Sequence, residues 1–97
     1  MNFLEVVQGD LLEFDMTIME DRKIFQPQDG DRYFFRVEKG GPNITQADKH
    51  FRVPKIDLPV GEYSFSGGII FADGTVRTVF QPDESRIKVL RQVGETT

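Results

Sequence analysis

Between Gly9 and Met19 the side chains switch character at almost every step. Leu12, Phe14, Met16 and Ile18 alternate with Glu13, Asp15 and Thr17. A strand repeats every two residues, so this pattern puts the four apolar side chains on one face and the polar ones on the other. A helix would carry Glu13, Asp15 and Thr17 into its buried stripe. The same alternation returns at Tyr33, Phe35 and Val37, at Tyr63, Phe65, Ile69 and Phe71, at Val76, Thr78 and Phe80, and at Ile87 and Val89. A chain patterned this way satisfies itself by stacking sheets.

Turn residues punctuate the alternation. Gln8-Gly9-Asp10 follows a short run from Phe3 to Val7, expected to be an edge or sheet-switching strand. Glu20 to Lys23 reads as a turn, Ile24 and Phe25 as a brief strand, and Pro27 to Asp31 as a loop around Asp29-Gly30. Arg32 to Lys39 reads as a central strand. Gly40-Gly41-Pro42-Asn43 ends it, and Ile44 to His50 is expected to be a polar, mobile connection. Phe51 and Val53, then Ile56 and Leu58 beyond Pro54, suit short edge strands. Asp73-Gly74 between two alternating runs predicts a hairpin with a two-residue turn, and Gly67-Gly68 predicts a bulge or a close backbone approach. The spacing gives an all-β, antiparallel β-sandwich or barrel of about seven strands. One domain is expected over residues 1–93, with a disordered tail at 94–97.

Composition narrows the function. A chain of 97 residues with 38% hydrophobic content has material for one core. Nine Phe, two Tyr and no Trp suit pleated, half-buried surfaces. Without Cys, neither disulfides nor thiolate chemistry is available. The net charge is −4 and the basic residues are scattered, so the counterion-releasing stripe of a nucleic-acid binder is missing. No apolar run reaches the eighteen or so residues of a membrane helix, and no basic region precedes an apolar run at the N-terminus.

Candidate chemistry is sparse. His50 is the only histidine, and any nucleophile–base relay would have to be built on it; a solvated loop residue is the plainer expectation. Glu13 and Asp15 share one strand face and are expected on its wet side. Asp29 and Asp31, with Asp10 or Asp73, offer oxygen ligands to a hard cation, but their spacing matches no metal loop and turns use the same residues. No catalytic residue, cofactor or metal is expected. Tyr63, after Gly61-Glu62 at the entry of the longest strand, is expected to fold its hydroxyl onto the preceding backbone. Phe34 and Ile70 are large apolar residues on otherwise polar faces. They are either partly exposed, marking an interface with Asn43, Ile44 and His50 of the neighbouring loop, or covered by that loop.

The order of segments resembles that of the small immunoglobulin-like domains of tailed-phage virions, best known at the N-terminus of upper baseplate proteins. The likeness lies in Gln8-Gly9-Asp10 before the first alternating strand, in Tyr33-Phe34-Phe35-Arg36-Val37-Glu38-Lys39, and in Gly61-Glu62-Tyr63, Asp73-Gly74, Thr75 to Thr78 and Ile87 to Val93. Ser64-Phe65-Ser66-Gly67-Gly68 departs from the plainer strand that such domains carry. The resemblance implies an immunoglobulin-like sandwich and a non-catalytic structural module of a tail, baseplate or head. It also implies a virion location after synthesis in a bacterial cytoplasm, and homo-oligomeric or heterologous contacts with virion proteins. A carbohydrate- or ligand-binding β module is the alternative, weakened by the missing Trp.

Overall fold

The computed structural model describes residues 1–92, and every described element is a strand or a connection between strands. The strands are β1 (Asn2–Val7), β2 (Leu12–Asp15), β3 (Met19–Glu20), β4 (Lys23–Ile24), β5 (Arg32–Val37), β6 (Asn43–Gln46), β7 (His50–Val53), β8 (Gly61–Ile70), β9 (Val76–Phe80) and β10 (Ser85–Leu90). Ten strands therefore replace the expected seven or so, because short pieces at 19–20, 23–24 and 43–46 also pair. The tail expected at 94–97 lies outside the described residues.

The alternating pattern builds a six-stranded sheet in the order β1-β10-β8-β5-β6, with β9 also on β8. β8 is ten residues long and organises the sheet. One edge pairs with β5 from Phe65 to Ile70; the other pairs first with β10 and then with β9. A second sheet holds only β2 and β7, with Phe14 opposite Phe51, and β3 and β4 form a small separate hairpin. The two larger sheets face each other across one core. Phe14 and Phe51 stack at 5.4 Å between ring centres, Phe14 meets Phe35 edge-on at 4.9 Å, and Phe35 lies 5.5 Å from Phe65. Such offset and edge-to-face contacts are the favoured aromatic geometries.

Most of the predicted facing holds. Leu12, Met16, Ile18, Tyr33, Phe35, Val37, Tyr63, Phe65, Ile69, Ile87 and Val89 are all buried in the core. The Tyr63 hydroxyl donates to the Pro59 carbonyl at 2.6 Å, the expected tyrosine corner.

Several expectations are corrected. The sheet is not purely antiparallel, since β1 runs parallel to β10, with Leu4 beside Ile87 and Val6 beside Val89. The polar segment after Pro42 is no free loop, because Asn43 to Gln46 pairs with β5. Ile56 and Leu58 point inward without a strand, and the Ile56 amide and carbonyl bond Asp10 and Gly9 instead. The turn at Asp73-Gly74 has three residues: Phe71 and Thr75 close it, and Gly74 at φ 91° supplies the left-handed position. The bulge lies at Gly67/Gly68 as predicted, but the extra residue is Val79 on β9, so Phe80 turns to the core side opposite Gly67 and loses its parity with Thr78.

At Gly68 the backbone of β9 comes close to that of β8. A Cβ there would collide with the Arg77 carbonyl oxygen of the paired strand. Gly68→Ala is expected to cost about 1–3 kcal/mol by forcing β9 away from β8. Urea unfolding measures the loss, and amide exchange localises it to β9. Tyr63→Phe is expected to cost about 0.5–1.5 kcal/mol through the lost bond to Pro59, read from the same unfolding curves.

Candidate functional site

Three surfaces carry side chains with chemical or adhesive potential. The first is the outer face of the β2–β7 pair. Its antiparallel register places His50 directly opposite Asp15 and Arg52 opposite Glu13. His50 Nδ1 lies 2.7 Å from Asp15 Oδ1, and Nε2 lies 2.8 Å from Glu13 Oε2. Arg52 adds a longer contact to Glu13 at 3.9 Å. Protonated imidazole has two N–H groups and donates one to each carboxylate; the neutral ring has only one to give. The hydrogen bonds to Asp15 and Glu13 accordingly raise the His50 pKa above its ordinary value of 6.5. With both nitrogens engaged, His50 acts as a cross-strand staple. His50 is thus the first residue of a strand, where a free loop histidine was expected, and Glu13 and Asp15 hold it.

The second surface is the outer face of the large sheet. Phe34, expected to be an interface residue or one covered by a loop, is only 1% exposed. Its cross-strand neighbours are Gly68 and Thr45, and the Arg36 guanidinium lies 4.7 Å above its ring. The cation covers the ring, so Phe34 offers no free patch. Ile70 is half-buried on this face opposite Val76, which is 56% exposed. Asn43 is exposed at the β6 edge. Ile44, opposite Phe35, is half-buried and packs inward against the core. The five predicted contact residues therefore do not form one patch.

Two of the carboxylates considered for a cation, Asp31 and Asp73, serve turns. Asp31 accepts from the Gln28 amide through Oδ2 and from the Ala72 amide through Oδ1, tying two loops together. Asp73 Oδ1 accepts from the Thr75 hydroxyl at 2.6 Å and the Thr75 amide at 3.0 Å, which holds its carboxyl below the usual range.

The third surface was not anticipated as a unit. An open cleft of about 380 Å³ separates the start of β1 from the end of β2; Met1, Phe3, Leu4, Phe14, Phe65 and Phe80 give it an apolar lining, and Asp15 and Thr17 a polar rim. Met1 is 90% and Phe3 49% exposed. The sequence signal was the short β1 run itself, whose apolar residues on both parities leave Phe3 on the outer face whenever Leu4 and Val6 turn inward. No family model, curated protein or solved structure matches this chain.

The His50 staple has a pH signature. Its folded pKa is raised, so its stabilisation is complete below the unfolded value near 6.5 and is lost as pH rises through the higher folded value. The melting temperature of the native protein is expected to fall over that window more than that of His50→Gln. An NMR titration should place the native imidazole pKa above 6.5; a midpoint at or below that value would contradict the staple.

Proposed function

We propose that this domain is a non-catalytic, immunoglobulin-like structural module of a tailed-phage virion, acting through protein–protein contacts in a tail, baseplate or head. The immunoglobulin-like part is supported by topology. Strands β10-β8-β5-β6 facing a β2-β7 pair follow the arrangement G-F-C-C′ against B-E, with β1 added beside the G-like β10, and Tyr63 provides the corner at the start of the F-like β8. The virion part rests on the resemblance in segment order described above.

The observation that carries the assembly reading is the character of the surface. The only histidine has both nitrogens tied to carboxylates, whereas Met1, Phe3, Met19, Ile24, Val60 and Val76 stand exposed at strand edges and tips. Met19 and Ile24 pair across the β3–β4 hairpin and Met1 and Phe3 line one cleft, so these side chains fall in groups of the kind that favour association. The alternative of a carbohydrate-binding module is disfavoured by the two tyrosines, which are 3% and 8% exposed and present no stacking platform.

Mass spectrometry of purified particles from the producing culture tests this reading. The chain is expected among the stoichiometric virion components. Its presence in the lysate but absence from intact particles would overturn the proposal, as would turnover of a substrate abolished by His50→Ala.

A further inference from the structure

β1 is the least defended edge among the described strands. Edge strands ordinarily escape unwanted pairing through shortness, charge, proline or bulges. β6 has four residues, three of them polar, and follows Pro42. β9 is bulged and carries Arg77. β7 is bounded by Lys49 and Pro54 and carries Arg52, and β2 presents Glu13 and Asp15. β1 runs for six residues with one charge, Glu5, which already lies beside Lys88 of β10.

The hydrogen-bond pattern identifies which backbone groups are free. The Asn2 amide donates to Glu84 and the Gln8 amide to Leu90, so even-numbered residues of β1 face β10. The N–H and C=O groups of Phe3 and Glu5, and the N–H of Val7, therefore face the open side, while the Val7 carbonyl accepts from Asp10.

We propose that β1 pairs antiparallel with β1 of a second copy of this chain, about a two-fold axis at Leu4. This deepens the assembly reading and names its contact. Every two-fold axis through a residue of β1 sets odd-numbered residues opposite one another, and the axes at Leu4 (residues 2–6) and Glu5 (residues 3–7) align the most of the strand. An axis at Glu5 would set Glu5 against Glu5 of the other copy, an unfavourable like-charge pair. An axis at Leu4 aligns residues 2–6 of the strand, sets Phe3 against Glu5, brings Met1, just outside the strand, beside Val7, and puts the two Leu4 side chains together on the core side. The exposed Met1 and Phe3 are then covered by Val7 and Phe3 of the other copy, and the two Leu4 side chains lie at the mouth of the apolar cleft. The second copy supplies a matching edge and avoids the charge conflict, as isologous contacts require. A six-residue edge buries less than a standard interface of roughly 1,200–2,000 Å², so the dimer is weak.

The absence of cysteine makes the register directly testable. Leu4→Cys places two thiols at a non-hydrogen-bonded pair, where Cα atoms lie about 4.5 Å apart and a disulfide forms. Glu5→Cys places them on the diagonal, about 7–8 Å apart and out of reach. Mild oxidation is expected to cross-link Leu4→Cys at least tenfold faster than Glu5→Cys. Equal rates, or no dimer from folded Leu4→Cys, would overturn the pairing.

A second variant guards against local damage. Glu5→Pro removes an outward N–H and no bond to β10, so it is expected to keep the native circular dichroism spectrum yet sediment as a monomer where the native chain forms dimers. Dimers of Glu5→Pro, or a native chain monomeric at every concentration, would overturn the inference. Detection of the chain in virions is independent of these results, so loss of the β1 contact and loss of the virion reading are separable.

Discussion

The contact of Phe14 and Phe51 with Phe35 and Phe65 joins two sheets that share no hydrogen bonds with each other in the paired strands. Each ring sits on a strand whose neighbours point outward, so the four can meet only if both sheets turn the same parity inward. A two-stranded sheet is marginal in water. The β2–β7 pair persists because its aromatic face is taken up by the larger sheet, and its outer face is then free to carry the His50 staple between Glu13 and Asp15.

The disposition of the edges follows from this packing. β8 provides two partner segments along one edge, and the bulge at Gly67/Gly68 with the turn at 81–84 lets β9 and β10 share it. β10 then has its far edge open, and β1 closes it in parallel. With β1 committed to the large sheet, β2 has β7 as its one partner strand, and a cleft remains between β1 and β2. The adhesive potential of the molecule lies at that seam, where backbone groups and apolar side chains of β1 face outward together.

Much of the core was legible because alternation reports facing directly. Leu12, Phe14, Met16 and Ile18 turn inward even though regular pairing in β2 stops at Asp15, since parity survives a break in hydrogen bonding. Ile56 and Leu58 show the converse: their inward facing was readable, but the bonds of Ile56 go to Gly9 and Asp10, partners far away in the chain. Which of the two readings of Phe34 holds, exposed or covered, was not legible, because its cross-strand neighbours Thr45 and Gly68 are set by which strands pair and the Arg36 guanidinium then lies over the ring. The acid–imidazole cluster was invisible for a similar reason. Glu13, Asp15 and His50 were each noticed, but only the register of β2 on β7 brings them within hydrogen-bonding distance.

By itself, the sequence determined the strand-rich class, the inward set of side chains, the corner at Tyr63 and the bulge at the paired glycines. These depend on side-chain parity and local backbone chemistry, which a linear chain carries residue by residue. Tertiary structure alone decided that β1 runs parallel to β10, that His50 bridges two carboxylates, and that Phe3 stands beside an open cleft. Each of these depends on which strands become neighbours and in what register, and that choice is made by the packing of whole sheets.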